Sequence, residues 1–250
     1  MQLDLEATNA ALSRKNTLDV LSWCYETFDR GGIKLSTSFG AEGMVLLHML
    51  VQLVGKPRVF TVDTGRNFQQ TYDVWQRAIE RYGIDIETWY PDPADINELT
   101  RTQGPNMFYA SVANRKRCCY VRKVKPLKRA LEHADVWITG LRRGQSSSRA
   151  GVDLLSYVEE YGVYKVCPLV QWREVNVWEY VRNNDVPYNA LYDEGYPTIG
   201  CAPCCRAVGR AQDIRSGRWW WEQDRQSKEC GIHISGGRVE SSSGNVNFTI

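Results

Sequence analysis

The alternation of strand-like and helix-like segments over residues 17–139 constrains the fold most strongly. Short β-branched and aliphatic segments predict strands, and the longer periodic segments between them predict helices. The predicted strands are Ile33–Leu35, Arg58–Val62, Ile84–Tyr90 and Asp135–Thr139, and the predicted helices are Thr17–Arg30, Met44–Val54 and Asn67–Tyr82. Such alternation is typical of a parallel sheet covered on both faces. We therefore expect an α/β fold with an open, mostly parallel, twisted sheet and helices on both faces.

Apolar stripes along two of these helices predict the faces that pack on the sheet. The stripe of the first helix is Leu18, Leu21, Tyr25 and Phe28, and that of the third is Phe68, Tyr72, Trp75, Ile79 and Tyr82. The middle helix is apolar on all sides, which predicts that it is buried.

Length and charge limit the domain organisation and the function. The chain has 250 residues, of which 43% are hydrophobic and 24% charged, as in an ordinary globular protein. We expect one domain over residues 1–235 and a flexible C-terminal tail at 236–250. The formal net charge of +2 argues against a general nucleic-acid or membrane binder. The longest apolar stretch, Met44–Val54, is too short to span a bilayer, and the acidic N-terminus lacks a signal-peptide core, so we expect a cytoplasmic protein.

Two loops follow predicted strands, at the end of the sheet where ligands bind in folds of this kind. Ser36–Glu42 is rich in small residues, which allow backbone N–H groups to approach an anion at the start of the next helix. Asp63 follows the second strand and offers a carboxylate to a nucleotide. Neither loop contains a complete phosphate-binding motif, so ordinary tight turns are the alternative.

Basic residues are concentrated in the middle of the chain and beyond it. Guanidinium groups suit phosphate and sulfate oxygens, and a small, multiply anionic substrate fits the nearly balanced total charge better than a long nucleic acid. A solvated basic face is the alternative. The residues are Arg115, Lys116, Arg117, Arg122, Lys123, Lys125, Lys128 and Arg129, then Arg142, Arg143 and Arg149, then Arg206, Arg210, Arg215 and Arg218.

The sequence contains eight cysteines, and in a reducing compartment ligand or catalytic roles are favoured over disulfides. Cys201 and Cys204 form a Cys-x-x-Cys pair, which occurs at zinc and iron–sulfur sites. Cys118 and Cys119 are adjacent, which suits a cluster, because neighbouring thiolates can then bind different irons. Zinc, or two unrelated thiol pairs, is the alternative, and Cys205 can replace Cys204 as a ligand.

The remaining cysteines divide into two kinds. Cys24 and Cys167 have apolar neighbours, which predicts inert core thiols. Cys230 follows charged residues and precedes a glycine, so we expect an exposed thiol on a mobile segment. Lys228 and His233 favour its thiolate, whereas Glu229 opposes it, and we expect a reactive group. A surface thiol without a role is the alternative.

These motifs, in this order, resemble those of assimilatory adenylyl-sulfate (adenosine 5′-phosphosulfate, APS) reductases over about residues 30–234. The number of motifs makes chance a poor explanation. They are Ser36–Glu42, Cys118-Cys119 with Arg122-Lys123-Val124-x-Pro126-Leu127, Thr139-Gly140-Leu141-Arg142-Arg143-x-Gln145-Ser146, Gly200-Cys201-x-Pro203-Cys204, Gly217-Arg218-Trp219-Trp220-Trp221-Glu222 and Glu229-Cys230-Gly231-Ile232-His233.

The resemblance implies an adenine-nucleotide α-hydrolase-like fold. Related ATP pyrophosphatases carry a Ser-Gly-Gly-x-Asp-Ser loop after the first strand, and the matching stretch here is residues 38–43, Ser-Phe-Gly-Ala-Glu-Gly. One glycine of that motif is absent, with Phe39 in its place, and its final serine is replaced, which agrees with a loss of pyrophosphate chemistry.

Members of the family that the sequence resembles differ in whether they contain both cysteine pairs. Members with both pairs bind a 4Fe–4S cluster and mostly use APS, whereas members without them generally use the 3′-phosphorylated form, PAPS. The resemblance therefore implies a 4Fe–4S cluster held by Cys118, Cys119, Cys201 and Cys204, and APS as the substrate. Cys205 stands where many members have threonine, which leaves the ligand count open by one.

The resemblance also implies a mechanism. The Cys230 thiolate attacks the sulfur of APS and expels AMP, and a thiol donor such as thioredoxin then releases sulfite from the S-sulfocysteine. The cluster is expected to tune electrostatics and not to pass electrons. The cations expected on sulfate and phosphate oxygens are Lys123, Arg142, Arg143, Arg149, Arg215, Arg218 and His233, and the adenine and ribose site is expected at Ser36, Ser38, Gly40 and near Asp63.

Three other functions compete with this interpretation. A PAPS reductase would have the same fold and nucleophile. An RNA-thiolation enzyme would need the pyrophosphatase loop and an added RNA-binding domain, and the sequence shows neither. An iron–sulfur redox sensor explains four thiols but neither Cys230 nor the nucleotide loop. The oligomeric state, including a homo-oligomer, is left open.

Overall fold

A computed structural model of the chain describes residues 2–209 and 213–222. Six strands and eight α-helices are assigned within these ranges. The strands are β1 (Ile33–Ser36), β2 (Val59–Val62), β3 (Ile86–Trp89), β4 (Val136–Ile138), β5 (Leu155–Val158) and β6 (Val163–Val166). The helices are α1 (Leu5–Leu12), α2 (Thr17–Thr27), α3 (Ala41–Val54), α4 (Gln69–Tyr82), α5 (Pro93–Thr100), α6 (Val112–Cys119), α7 (Lys125–Leu131) and α8 (Glu174–Asn183).

The strands form one sheet in the order β3-β2-β1-β4-β6-β5. All neighbouring strands are parallel except β5 and β6, so the expected mostly parallel sheet is confirmed. From β1 the chain moves to β2 on one side, whereas from β4 it moves to β5 and then β6 on the other side. A crevice therefore opens between the carboxyl ends of β1 and β4, the position where sheets of this topology bind ligands.

Apolar side chains cover both faces of the sheet. One core joins Leu35, Val136 and Val166 to residues of α3 and α8, and a separate core joins Phe60 and Trp137 to residues of α7. This confirms helices on both faces. Helix α3 is buried along most of its length, as predicted, and begins three residues before the predicted start, at Ala41.

The predicted apolar stripes of α2 and α4 are confirmed in part. The stripe residues that lie in the main core or pack against it are Leu21, Tyr25, Phe28, Trp75 and Tyr82. Leu18 and Ile79 are exposed instead, at 46% and 36%. Helix α4 also buries the smaller residues Thr71, Val74 and Ala78.

The hairpin of β5 and β6, and helices α1, α5 and α8, have no counterpart among the predicted elements. No described helix combines the length and apolar character that crossing a membrane requires. Residues 223–235 and the expected tail at 236–250 lie outside the described ranges, so the single domain with a flexible tail stays a prediction.

Candidate active site

The loop between β1 and α3 is held in a fixed conformation. Phe39 has a φ of 59°, a left-handed conformation that is uncommon for a residue with a side chain. Its N–H donates to the Thr37 hydroxyl (2.9 Å), and its ring stacks on Trp75 with 5.3 Å between centroids. Helix α3 starts after Gly40 without a side-chain cap, and the N–H of Ala41 donates to the Tyr192 hydroxyl (3.1 Å). The uncapped helix start leaves backbone donors available for an anion.

Gly140 allows the loop after β4 to touch the start of α3. A Cβ at this position would lie 2.8 Å from Glu42 Cβ and 3.2 Å from the backbone nitrogen of Gly43. Only glycine permits this approach without displacing backbone, which brings the two loops of the crevice together.

A cavity of about 250 Å³ lies at this crevice. Its walls include the loop after β1, the loop after β4 and residues of the segments 197–200 and 214–219. The Trp137 indole closes one side, where its N–H donates to Ser36 Oγ (2.7 Å). The predicted site residues that line the cavity are Ser36, Ser38, Gly40, Lys123, Arg142, Arg149, Arg215 and Arg218.

Two predicted substrate contacts do not line the cavity. The Asp63 carboxylate accepts hydrogen bonds from the Gly65 N–H (2.9 Å), the Asn67 amide (3.0 Å) and the Tyr72 hydroxyl (3.0 Å), so it holds its own turn together. Burial, together with Asp63, raises the pKa of Tyr72 to about 12, which keeps this hydroxyl a donor. Arg143 is exposed and donates to the carbonyl oxygen of Val152 (2.8 Å).

Glu42 and Gln145 also line the cavity, although neither is among the predicted substrate contacts. Glu42 pairs with Arg142 (2.8 Å), and Gln145 bonds to both Glu42 and Arg149. Both residues occur in the motifs quoted above. In the sequence, a role for Gln145 could have been inferred from its three-residue spacing from Arg142 in a loop rich in basic residues.

The four cysteines predicted as metal ligands converge in one buried cluster. Cys118 and Cys119 end helix α6, and a π-helical turn over Tyr120–Val124 follows them. Cys201 and Cys204 approach from a short turn far along the chain, and the same apolar cluster contains all four thiols. Cys205 is also buried, but it does not belong to this cluster.

The loop after β2 links the cysteine cluster to the cavity. The Thr64 hydroxyl lies 3.3 Å from Cys201 Sγ and also lines the cavity. A hydrogen bond with Cys204 lowers the pKa of Cys201 well below its ordinary value despite burial, and the charges of Lys123 and Arg218 act in the same direction. Cations that line the cavity therefore also lower the pKa of a thiol in the cysteine cluster.

The surroundings of the thiols contain donors that lack acceptors. Arg122 donates from Nη1 to the Thr64 carbonyl oxygen (2.7 Å), whereas its buried Nε has no acceptor among the described residues. The same holds for the buried indole N–H of Trp219, which packs in the cysteine cluster. Within the described ranges, no three His, Cys, Asp or Glu side chains are placed to share one metal ion.

Cys24 and Cys167 lie away from this cluster, in the main core. Burial raises the pKa of Cys24 to about 12 and that of Cys167 to about 11, so both remain neutral thiols at physiological pH. This agrees with the prediction of inert core thiols. Cys230 and His233 fall outside the described residues, and their predicted roles stay predictions.

The crossover topology and the cation-lined crevice define a nucleotide-binding α/β protein of the doubly wound class. Residues 32–207 match the phosphoadenosine phosphosulfate reductase domain, and the chain belongs to this family. It is 43% identical over 203 residues to an adenosine 5′-phosphosulfate reductase of Burkholderia cepacia, with 81% of each chain covered. It is 44% identical over 201 residues to the enzyme of that name from Allochromatium vinosum, covering 80% of this chain and 78% of the relative.

Solved structures agree with this assignment. A phosphoadenylyl-sulfate reductase from Candida auris, in a phosphate complex, superposes with a TM-score of 0.71 and 27% identity, covering 83% of this chain and 99% of that one. The FMN adenylyltransferase of Candida glabrata superposes with a TM-score of 0.56 at 15% identity, covering 88% and 75% of the two chains. The second likeness concerns the fold alone, and it agrees with the open, mostly parallel α/β sheet described above.

Proposed function

We propose that the protein reduces APS to sulfite and AMP in sulfate assimilation, with a thiol donor such as thioredoxin. The observation that carries this proposal is the position of four cations, Lys123, Arg149, Arg215 and Arg218, around a cavity next to four buried thiols. The relatives named as APS reductases support the choice of substrate. A cytoplasmic location and the absence of nucleic-acid partners remain part of the proposal.

The chemistry assigns a separate task to each group. The Cys230 thiolate attacks the sulfur of APS, a sulfur–sulfur bond forms, and AMP leaves with the electron pair of the broken sulfur–oxygen bond. A dithiol donor then attacks Cys230 Sγ, releases sulfite and ends as a disulfide, so the dithiol supplies the two electrons. Lys123, Arg215 and Arg218 stabilise the charge that moves onto the AMP phosphate.

We further propose that Cys118, Cys119, Cys201 and Cys204 hold a 4Fe–4S cluster. The residues fit such a group, because the four buried thiols belong to one apolar cluster, and two buried N–H donors, on Arg122 and Trp219, have no acceptor among the described residues. Sulfide could provide such acceptors. A single zinc ion fits less well, since no three ligand side chains converge on one point in the described ranges. When bound, the cluster supplies fixed charge and links the two cysteine segments.

Anaerobic intact-protein mass spectrometry tests the reaction. Protein mixed with APS in the absence of thiol should gain a sulfonate group, thioredoxin should remove it, and Cys230→Ser should never gain it. The matched control is Cys205→Ser, which should gain the group as the unmodified protein does. An adduct that forms with PAPS and not with APS would change the substrate, and no adduct with either, in protein that contains its cluster, would contradict the proposal.

The cofactor is tested by metal analysis independently of activity. We expect Cys118→Ser, Cys119→Ser, Cys201→Ser and Cys204→Ser each to lose most of the iron, the acid-labile sulfide and the visible absorption, because each change removes one ligand. Cys205→Ser should retain all three. Retention of the cluster in a ligand variant together with its loss in Cys205→Ser would show that Cys205 is the ligand.

A further inference from the structure

We propose that Gln145 is a positioning residue that holds Arg149 against the bound nucleotide by connecting it to the Glu42 carboxylate. This inference rests on the proposed binding of the nucleotide in the cavity at the ends of β1 and β4. Gln145, Arg149 and Glu42 all line that cavity, and both Gln145 and Arg149 are half-buried.

The Glu42 carboxylate is the fixed end of the connection. It lies in the first turn of α3 and its Oε1 accepts hydrogen bonds from Arg142 Nε (2.8 Å) and Gln145 Nε2 (2.9 Å). Arg142 Nη2 also lies 2.8 Å from the same oxygen, and the Arg142 and Glu42 side chains are only 6% and 16% exposed. A buried pair of this kind keeps both partners in one arrangement, since separating them leaves a charge without a counterion.

The Gln145 amide connects Arg149 to this buried pair and so restricts its position. Its Oε1 accepts from Arg149 Nη1 (2.5 Å) and from the backbone N–H of Arg142 (3.1 Å). The opposite orientation of the amide would place its NH₂ group against a guanidinium and its oxygen against a carboxylate. The two neighbours therefore fix which end of the amide points to Arg149.

Among the charged residues of this group, Arg149 is the one that we expect to bind the nucleotide. Arg142 and Glu42 neutralise each other, whereas Gln145 fixes the direction of Arg149 without cancelling its charge. Because Gln145 is neutral, it directs the guanidinium towards an oxygen of the nucleotide without adding a countercharge, which a carboxylate in its place would add. Among the predicted cations Arg142 then serves to orient Glu42, and Arg149 meets the ligand.

A double-mutant cycle on the full-length, cluster-containing protein tests this coupling. The variants are Gln145→Met, which has nearly the same shape but no amide, Arg149→Ala, and the two combined. The measurement is AMP affinity by calorimetry. We expect each single change to weaken AMP binding about tenfold, because each removes a charge-assisted contact, and the double variant to bind no more weakly than Arg149→Ala alone.

Kinetics with APS separate positioning from a general structural effect. Gln145→Met should raise KM with little change in kcat, because the amide does not touch the reacting sulfur. Additive losses in the cycle, or a kcat that falls while KM is unchanged, would overturn the role of Gln145 and leave the proposed nucleotide site standing. An Arg149→Ala variant with normal AMP affinity would also overturn this inference, whereas a parent protein that binds neither AMP nor APS would overturn the proposed nucleotide site.

Discussion

Arg218 occupies a position that one glycine keeps open. A Cβ on Gly200 would lie 2.6 Å from both terminal nitrogens of the Arg218 guanidinium, which also contacts the face of Trp219 with 4.9 Å from Cζ to the ring centroid. The guanidinium is therefore confined between the Gly200 backbone and an indole at the edge of the cavity. This close approach explains why position 200, next to Cys201, is occupied by a glycine.

We expect Gly200→Ala to raise KM for APS by roughly tenfold, equivalent to about 1.4 kcal/mol of binding free energy. The added methyl group displaces the end of a flexible side chain and no backbone, so the melting temperature should change little. Steady-state kinetics and calorimetric melting measure the two effects. Gly151→Ala is the matched control, because its Cβ would meet nothing within 4 Å. Equal KM values in the two variants would contradict the assigned role of Gly200.

At the scale of elements, a buried ion pair joins helix α6 to the segment that carries Arg215 and Arg218. Arg115 donates to both carboxylate oxygens of Glu222, from Nε (2.8 Å) and Nη2 (3.0 Å), and the two side chains are 1% and 2% exposed. The Arg115 guanidinium also lies 4.5 Å from the centroid of Trp219. The pair thus fixes the cysteine-bearing helix relative to the arginines of the cavity.

We expect Arg115→Met to lower the free energy of unfolding by about 3–5 kcal/mol, since it leaves the Glu222 carboxylate buried without a counterion. Anaerobic urea denaturation measures this change. Combining it with Glu222→Leu should recover most of the loss, because an apolar pair replaces the ion pair. A double variant as unstable as the sum of the two single variants would contradict this prediction, because additive losses mean that the two side chains are not coupled.

At the scale of the whole molecule, one carboxylate connects neighbouring parts of the sheet. Glu87 on β3 contacts Lys34 on β1 (3.1 Å) and Arg58 before β2 (2.8 Å). Burial raises the pKa of Glu87, but the hydrogen bonds from Arg58 and Lys34 outweigh it, and the pKa lies below its ordinary value. The ionised Glu87 carboxylate is thus more strongly stabilised in the folded state than in the unfolded state.

This lowered pKa predicts a contribution to stability that depends on pH. The contribution is fully present above the unfolded-state pKa of about 4.3 and is lost as the pH falls through the folded-state pKa. We expect Glu87→Gln to be less stable than the parent at pH 7, and the difference to shrink as the pH falls below about 4. Denaturation curves over that range, with the exposed Glu159→Gln as control, measure it. A difference that does not vary with pH would contradict the assignment.

The sequence determined the framework because its signals are local. Periodicity placed the strands at 33–35, 58–62, 84–90 and 135–139 within three residues of their observed ends. Motif order led to the family that residues 32–207 match. The short β5–β6 hairpin showed no comparable signal, and the predicted apolar stripes included Leu18 and Ile79, which are exposed.

The tertiary structure alone decided which side chains meet. Cys118 and Cys201 are far apart in the chain, and their convergence depends on the crossover that places α6 beside the turn at 201–204. Asp63 and Arg143 carry the expected charges, yet neither lines the cavity. Asp63 accepts a hydrogen bond within its own turn, and Arg143 donates to the carbonyl oxygen of Val152. A motif specifies the chemistry of a side chain, whereas its direction follows from long-range packing and hydrogen bonds that no local pattern records.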